Sequence, residues 1–148
     1  NLSKIQADVE MGRISQEVYQ SYPLARVQLL RHIYNKFRLT HDKQTGYFWL
    51  KKRDFARTGA QRDDAEGLID HIRAIQGVVV ACVFEEAEPE LTRISLRSKS
   101  DDVDVNASAG QFGGGGHRAA AGARIAGKPM AAQRRVLNAI KKALNSAR

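Results

Sequence analysis

A run of apolar, largely β-branched residues, GVVVACVFEE at 77–86, constrains the fold of this chain more than any other stretch. The run has no helical period, and a strand with apolar side chains at successive positions is buried on both of its faces. Such a strand needs packed layers on both sides of its sheet. Cys82, the only cysteine, lies within the run, where a buried and unreactive thiol is expected. A single cysteine leaves no internal disulfide or multi-cysteine metal cluster and indicates a reducing, cytoplasmic setting.

Shorter helix-like and strand-like patterns alternate on both sides of this run. RLTHD and GYFWLKK predict a hairpin around the turn at 42–46. Asp63, with Glu66 three residues later, is typical of a helix N-cap, and Gly77 is placed to end that helix. LTRISLRSKS and AAAGARIAG are strand-like, VDVNASAGQF predicts a short helix, and Pro129 is placed to open a last helix. The predicted fold class is therefore α/β, a mixed sheet of about five strands with packed helices. The last helix is expected to turn an apolar stripe inward, which consists of Val136, Leu137, Ile140 and Leu144.

The first 37 residues have helical patterns and no strand patterns, unlike the rest of the chain. They predict two or three short helices, the last of which begins at Pro23, with too little apolar surface to form a stable domain by themselves. The strand patterns begin only at about Arg38. We therefore expect a short helical connector at 1–37, the tail of another unit, ahead of one α/β domain at 38–148.

The charge balance restricts the classes of partner. The formal net charge is +8 and the sequence pI is near 9.9, which favours polyanions such as nucleic acid, nucleotides or an anionic membrane surface. No apolar run approaches the roughly 18 residues of a membrane span, and the acidic, amphipathic N-terminus does not have the pattern of a secretory signal. We therefore expect no membrane partner.

Four consecutive glycines, at 113–116, are followed directly by His117 and Arg118. Glycine allows positive φ and carries no Cβ, so that successive N–H groups can converge on an anion, as in phosphate-binding loops. His117 adds an ionisable donor and Arg118 a permanent positive charge. A flexible linker is the alternative, but the run is short and lies between Phe112 and an Ala-rich segment. The phosphate-binding candidates are Gly114, Gly115, Gly116, His117 and Arg118.

The strand-like stretch RISLRSK, at 93–99, alternates charged or polar residues with apolar ones. Because successive side chains in a strand point to opposite faces, the polar set forms a cationic strip that is backed by core. Arg97 suits bidentate phosphate recognition, and Lys99 supplies a point charge. A solvent-facing edge with ordinary salt bridges is the alternative. The strip shortly precedes the glycine run, and together the two predict one anion-binding pocket.

The remaining titratable groups predict no catalytic centre. The acids at 63–66 have the spacing of a helix cap rather than of metal ligands, and those at 101–104 lie where acids favour the dipole of the next helix. The aromatic residues at 47–49 are expected to form core rather than a base-stacking platform. We find no nucleophile–base pair, metal-ligand cluster or acid–base pair of carboxylates. The chain is therefore expected to bind rather than to cut.

The stretch SLRSKSDDVDVNASAGQFGGGGHRAAAGA resembles the DHH-associated (DHHA) domain of the DHH phosphoesterase superfamily. It is similar to the branch with bacterial nanoRNase/oligoribonuclease and adenosine-bisphosphate phosphatase, for which exopolyphosphatase-related is an older label. The upstream DDAEGLIDHIRAIQGVVVACVF resembles the same branch, and ISQEVYQSYPLARVQLLRHIYNKF resembles the connector out of the catalytic domain.

This resemblance implies a phosphoesterase of two parts. In the family, a DHH catalytic domain holds two Mn²⁺ through Asp and His ligands, and a linker joins it to the smaller domain. No Asp-His-His triplet occurs here, so the resemblance implies a substrate-binding half without a cofactor of its own, whose partner is a DHH catalytic domain in the same parent chain. By position, Arg97 and Lys99 match the basic strand that holds the nucleotide, and Gly115, Gly116 and His117 match the loop that meets its phosphate.

The implied ligand is short RNA or a nucleoside bisphosphate. The implied reaction of the parent protein is hydrolysis of short oligoribonucleotides or of adenosine 3′,5′-bisphosphate. Two alternatives stay open. One is a non-catalytic nucleic-acid-binding module, because related domains end alanyl-tRNA synthetases; the other is half of a cyclic-dinucleotide phosphodiesterase, which shares the same pair of domains.

Overall fold

The apolar run lies inside a six-stranded mixed sheet in the computed structural model, which describes residues 21–147. The predicted α/β fold class is confirmed, with six strands in place of about five. The helices expected within residues 1–20 lie outside the described part. The strands are β1 (Arg38–Thr40), β2 (Thr45–Leu50), β3 (Val80–Glu88), β4 (Leu91–Ser98), β5 (Gly115–His117) and β6 (Ala120–Ala126).

The strand order across the sheet is β1-β2-β3-β4-β6-β5, which places the apolar strand β3 in the interior. The β2–β3 pair is parallel, and the other four pairs are antiparallel. β1 and β2 form the expected hairpin. Ala81 and Cys82 are neighbours in β3 and are both fully buried, which confirms that this strand is covered on both faces.

Helices cover the sheet in two layers, one on each face. One core cluster joins the last two helices to the sheet through residues such as Phe84 and Val136. The other cluster packs on the opposite face and includes Ile33 and Phe48. The α-helices of the described part are α1 (Leu24–Lys36), α2 (Lys52–Thr58), α3 (Ile69–Arg73), α4 (Val105–Gly110) and α5 (Pro129–Ser146).

Helix α1 is part of the core, although it falls in the region expected to be a connector. It begins directly after Pro23, as predicted. Leu29 and Ile33 are both fully buried and belong to the same cluster as Phe48 of β2. Residues 24–36 therefore share the hydrophobic core of the sheet.

The region predicted as one helix from Asp63 onward is broken into two pieces. A 3₁₀-helix covers Arg62–Ala65, Gly67 then adopts a φ of +81°, and α3 follows. The prediction of Asp63 as the N-cap is wrong, because the N–H of Gln61 donates to Oδ2 of Asp64 at 2.7 Å and thus places the cap two residues earlier. The extended backbone at Glu66 ends the first piece, and the left-handed backbone at Gly67 follows before α3 begins.

The last helix, α5, begins at Pro129 as predicted and packs its inward stripe on the sheet. Val136, Ile140 and Leu144 are buried, and Leu137 is half-buried. Neither α5 nor any other helix in residues 21–147 combines the length and the apolar character that a membrane crossing requires.

Candidate functional site

Arg97, Ala120 and His117 lie in one row across three neighbouring strands. Arg97 of β4 pairs in register with Ala120 of β6, and Ala120 pairs in register with His117 of β5. Residues that are opposite each other in a sheet project from the same face. Arg97 and His117 therefore share a face two strand spacings apart, which is about 10 Å. The structure thus brings together Arg97 and His117, which are candidates from two separate sequence motifs.

Strand β4 has the alternation that the sequence predicted. Its apolar positions Ile94 and Leu96 are buried in the cluster that includes α5. Arg93, Ser95 and Arg97 are half-buried and lie on the opposite face. The cationic strip therefore lies on an interior strand whose opposite face packs against the core.

An open cleft of about 270 Å³ lies beside Arg97 on this face. Its floor includes Val83 and Ser95 of the sheet, and one wall is formed by the 3₁₀-helix and the start of α3. The helices on this face pack mainly against β2, β3 and β4. Arg124 of β6 and His117 of β5 are exposed. The β6–β5 end of this face, beyond Arg97, is therefore left uncovered by the helices.

The charges around the cleft are unevenly balanced. The Glu85 carboxylate lies 3.4 Å from Nε of Arg62 and 3.6 Å from a terminal nitrogen of Arg93, so it neutralises these two cations in part. The Arg97 guanidinium donates to the carbonyl of Leu96 at 2.9 Å and forms no ion pair within residues 21–147. Arg97 is therefore a half-buried positive charge with donors available for an anionic ligand.

Arg124 is a second unbalanced cation that the sequence patterns did not single out. It pairs in register with Arg93 and is exposed, without an ion pair in the described part of the chain. Its position was readable from the alternation in ARIA, where Arg stands between two inward-facing apolar residues.

Lys99 lies beyond the end of β4 and is turned toward a different part of the molecule. Its Nζ donates to the carbonyl oxygen of Ile75 at 3.0 Å, and its N–H donates to that of Val79 at 2.8 Å. These bonds tie the segment to the loop before β3. A part for Lys99 in ligand binding stays a prediction that requires the Nζ bond to open.

The glycine run does not form the anion-binding cradle of N–H groups that the sequence suggested. The N–H groups of Gly113 and Gly114 donate to carbonyl oxygens of helix α4, and that of Gly116 donates to Oδ1 of Asn106 at 2.8 Å. Gly115 and Gly116 lie in the edge strand β5 together with His117. Three of the four N–H groups thus donate within the protein, so the glycines have a role other than anion binding.

Two of the glycines allow close packing of the edge strand β5 on β6. A Cβ on Gly114 would lie 2.1 Å from the carbonyl oxygen of Gly122, and one on Gly116 would lie 2.5 Å from that of Ala120. Gly116 also has a φ of +155°. Glycine is therefore needed at 114 and 116, where only a residue without a Cβ allows the chain to approach β6 and place His117 in the row with Arg97.

Arg118 is occupied by the loop that leads into α4. Its Nε donates to the carbonyl oxygen of Asp101 at 2.8 Å, and a terminal nitrogen lies 3.4 Å from Oδ2 of Asp104. Asp104 in turn caps α4 by accepting from the N–H groups of Asn106 and Ala107. Arg118 therefore stabilises this loop, and the structure gives it no shared ligand position with Arg97.

Within residues 21–147 no three His, Cys, Asp or Glu side chains come together in a group that could hold a metal ion. No step that depends on a metal is therefore assigned to these residues.

Comparison with known proteins places this geometry in context. Residues 46–147, more than half of the chain, match the DHHA1 domain. The chain is also similar to an exopolyphosphatase-related protein from Bacteroides fragilis, with 26% sequence identity and a TM-score of 0.80. The match covers 89% of this chain and 38% of that one, so the chain spans well under half the length of this relative.

Two further structures are similar in fold alone. The pGpG-specific phosphodiesterase PggH from Vibrio cholerae has 13% identity and a TM-score of 0.56, over 86% of this chain and 41% of that one. The C-Ala domain of alanyl-tRNA synthetase from Aquifex aeolicus has 18% identity and a TM-score of 0.50, over 74% of this chain and 97% of that one.

Proposed function

The chain belongs to the DHHA1 domain family of DHH phosphoesterases, and from this premise we propose that it binds the substrate of an enzyme that hydrolyses short oligoribonucleotides or adenosine 3′,5′-bisphosphate. The relative with 26% identity, an exopolyphosphatase-related protein, supports a phosphate-containing substrate. The net charge of +8 agrees with a polyanionic ligand.

The observation that carries the proposal is the row from Arg97 to His117. The planar guanidinium of Arg97 can donate two parallel hydrogen bonds to one phosphate, and it has no carboxylate partner in the described residues. The backbone of His117 lies about 10 Å away across β6, and its imidazole offers a second donor. Two donors on one face of the sheet can contact two phosphates of one short ligand, such as a nucleoside 3′,5′-bisphosphate or a 5′-phosphorylated dinucleotide.

The chemistry of hydrolysis belongs in this proposal to a DHH catalytic domain in the same parent chain. Two Mn²⁺ ions held there would activate a water molecule for attack on the phosphorus atom. The present residues would bind and orient the substrate in a cleft between the two domains, so that binding energy is used for positioning. The single, buried Cys82 is compatible with the cytoplasmic setting that belongs to the same proposal.

Calorimetric titration of the 148-residue chain with a 5′-phosphorylated RNA dinucleotide tests the proposal. Arg97→Gln and His117→Gln should each weaken binding by roughly 1–3 kcal/mol, as expected for the loss of a charge-assisted hydrogen bond. The control is Lys142→Gln, which removes an exposed charge without a described ion pair and should bind like the unaltered chain. A dinucleotide without its 5′-phosphate should bind weakly to all four proteins.

Two outcomes would contradict the proposal. If Arg97→Gln and His117→Gln both bind the phosphorylated dinucleotide as tightly as the unaltered chain, the row is not the site. If transfer RNA binds far more tightly than the dinucleotide and the two variants lose that binding, the chain is a nucleic-acid-binding module instead.

A further inference from the structure

A second cationic surface lies at the opposite end of the sheet, around the aromatic residues of β2. We call it the Trp49 surface, and it consists of Lys36, Arg38, Tyr47, Trp49, Lys51 and Arg53. These residues line one open cavity of about 290 Å³, together with Met130 and Gln133 of α5. None of them belongs to the row of Arg97 and His117.

The position of this surface follows from the way in which α5 covers its face of the sheet. Tyr47 and Trp49 alternate along β2 and both pack against Phe84, while Arg38 of β1 pairs in register with Tyr47. Helix α5 packs mainly on β3 and β4, and its second residue, Met130, is 55% exposed. The β1–β2 end of this face is therefore left open. Lys36 and Arg53 reach this cavity from α1 and α2 on the other face, so the surface extends around the β1–β2 edge. The Arg97 row lies toward the other edge of the sheet.

The cations of the Trp49 surface are unbalanced. Lys36, Arg38 and Arg53 are exposed, and Lys51 is half-buried. Within residues 21–147 none of these four side chains forms an ion pair, and the lining of the cavity itself includes one carboxylate. That carboxylate, Asp54, is 3% exposed and lies within 3.5 Å of both His32 and Arg57. Four positive charges are thus available for an anionic partner.

Trp49, which lines the same cavity as these cations, is held in a fixed orientation. Its ring stacks on Phe84 with a centroid distance of 5.0 Å and an interplanar angle of 18°. Its Nε1 donates to Oε1 of Gln133 at 2.5 Å. A fixed, half-buried aromatic ring in one cavity with unpaired cations is an arrangement by which proteins stack a base and hold the neighbouring phosphates.

Acidic residues bound the surface on one side. A neighbouring groove that also reaches Trp49 is lined by Glu86, Glu88 and Glu90. Phosphates are repelled from that groove, so a bound strand would follow the side of Trp49 that carries Lys36, Arg38 and Arg53.

From these contacts we propose that the Trp49 surface binds single-stranded nucleic acid, with backbone phosphates on the four cations and a base against Trp49. The site is separate from the row of Arg97 and His117, and the proposal does not rest on the function of that row. Phe48 is buried, and Tyr47 and Trp49 pack against the core, as the sequence predicted; the proposal adds a ligand for the part of Trp49 that is exposed.

The chain offers a direct reporter, because Trp49 is its only tryptophan. Titration of the 148-residue chain with oligouridylate and with oligothymidylate of about ten nucleotides should quench the tryptophan fluorescence. Added salt should weaken the binding, and each phosphate contact that is lost should reduce the slope of log K against log salt by about 0.7. Quenching by either oligonucleotide supports the proposal, and quenching by neither overturns it.

The variants separate this surface from the other site. Lys36→Gln together with Arg53→Gln should weaken the binding roughly tenfold and lower the salt slope by about 1.4. Lys142→Gln, an exposed lysine on α5, is the control for the loss of charge and should keep the quench. Arg97→Gln should also keep it, whatever its effect on a dinucleotide. A loss of quenching in Arg97→Gln equal to that in the double variant would overturn the proposal of a separate site.

A polyanion without bases distinguishes stacking from charge. Inorganic polyphosphate should compete with the oligonucleotide for the surface but leave the tryptophan emission of the free protein unchanged. If polyphosphate quenches the emission as strongly as oligouridylate does, the proposed stacking of a base on Trp49 is wrong.

Discussion

The buried carboxylate of Asp54 lies 3.5 Å from Nε2 of His32 and thereby connects α2 to α1. The same carboxylate accepts from the N–H of Lys51 at 2.8 Å, which caps the first turn of α2. Asp54 is 3% exposed, and Arg57 lies 3.3 Å from its other oxygen. One side chain therefore joins two helices and satisfies a helix terminus at the place where both pack on the sheet.

We expect Asp54→Ala to lower the free energy of unfolding by about 1–3 kcal/mol. The substitution removes the cap and leaves His32 and the N–H of Lys51 without this acceptor. Urea denaturation followed by circular dichroism measures the change. Asp63→Ala is the matched control, because Asp63 is exposed and should change stability by no more than about 0.5 kcal/mol. Equal stability of the two variants would contradict this account of Asp54.

Cys82 should be chemically silent in the folded protein. It is fully buried in β3, and this burial raises the pKa of its thiol well above the ordinary value, so almost no thiolate is present at neutral pH. We expect a thiol reagent such as dithionitrobenzoate to label the native chain far more slowly than the urea-unfolded chain. Rapid labelling in native buffer would show that β3 opens or that the thiol is accessible.

His41 should make the stability depend on pH. Burial, and to a smaller extent the positive charge of Lys141, lower its pKa from 6.5, while Asp42 acts in the opposite direction. Because the unfolded chain then takes up a proton more readily than the folded one, this contribution is fully present above about pH 6.5 and is lost as the pH falls through the lowered pKa. Thermal unfolding between about pH 8 and pH 5 measures the effect.

Two variants, one at His41 and one at Lys141, test whether His41 causes this decrease in stability. His41→Gln should remove the part of the decrease that is due to His41, and Lys141→Gln should reduce it, because one cause of the lowered pKa is gone. If His41→Gln loses as much stability between pH 8 and pH 5 as the unaltered chain does, His41 is not responsible.

The parts of the fold that the sequence predicted are those with a strong local pattern. The alternation in RISLRSK and the apolar run around Cys82 each identify a strand and its buried positions, because burial repeats with the period of the backbone. Pro129 likewise marks the start of α5. Helix α2 was missed because its sequence, KRDFART, has few apolar residues, and a buried carboxylate rather than an apolar stripe fixes it to the core.

The sequence identified residues of the candidate site but not the contacts that several of them make. The sequence indicated that Arg97 and His117 belong together, and their common row agrees with this. The use of the glycine N–H groups was not predictable, since their acceptors lie on α4 and their packing partner β6 comes later in the chain. Likewise the bond from Arg118 to Asp101 depends on a fold that brings two loops together.

Gly114 should be the position in the glycine run at which a methyl group does the most damage. A Cβ there would lie 2.1 Å from the carbonyl oxygen of Gly122 and 2.5 Å from the Cβ of Ala123, and both of these residues belong to β6. Gly114→Ala must therefore displace β5. We expect it to lower the free energy of unfolding by about 2–4 kcal/mol and to weaken dinucleotide binding through His117.

Gly110→Ala is the matched control. Nothing lies within 4 Å of its Cβ, and alanine at this helical position should leave stability unchanged or raise it by up to about 1 kcal/mol. Urea denaturation and dinucleotide titration of both variants measure the difference, and a stable Gly114→Ala with full binding would show that close packing of β5 on β6 does not position His117.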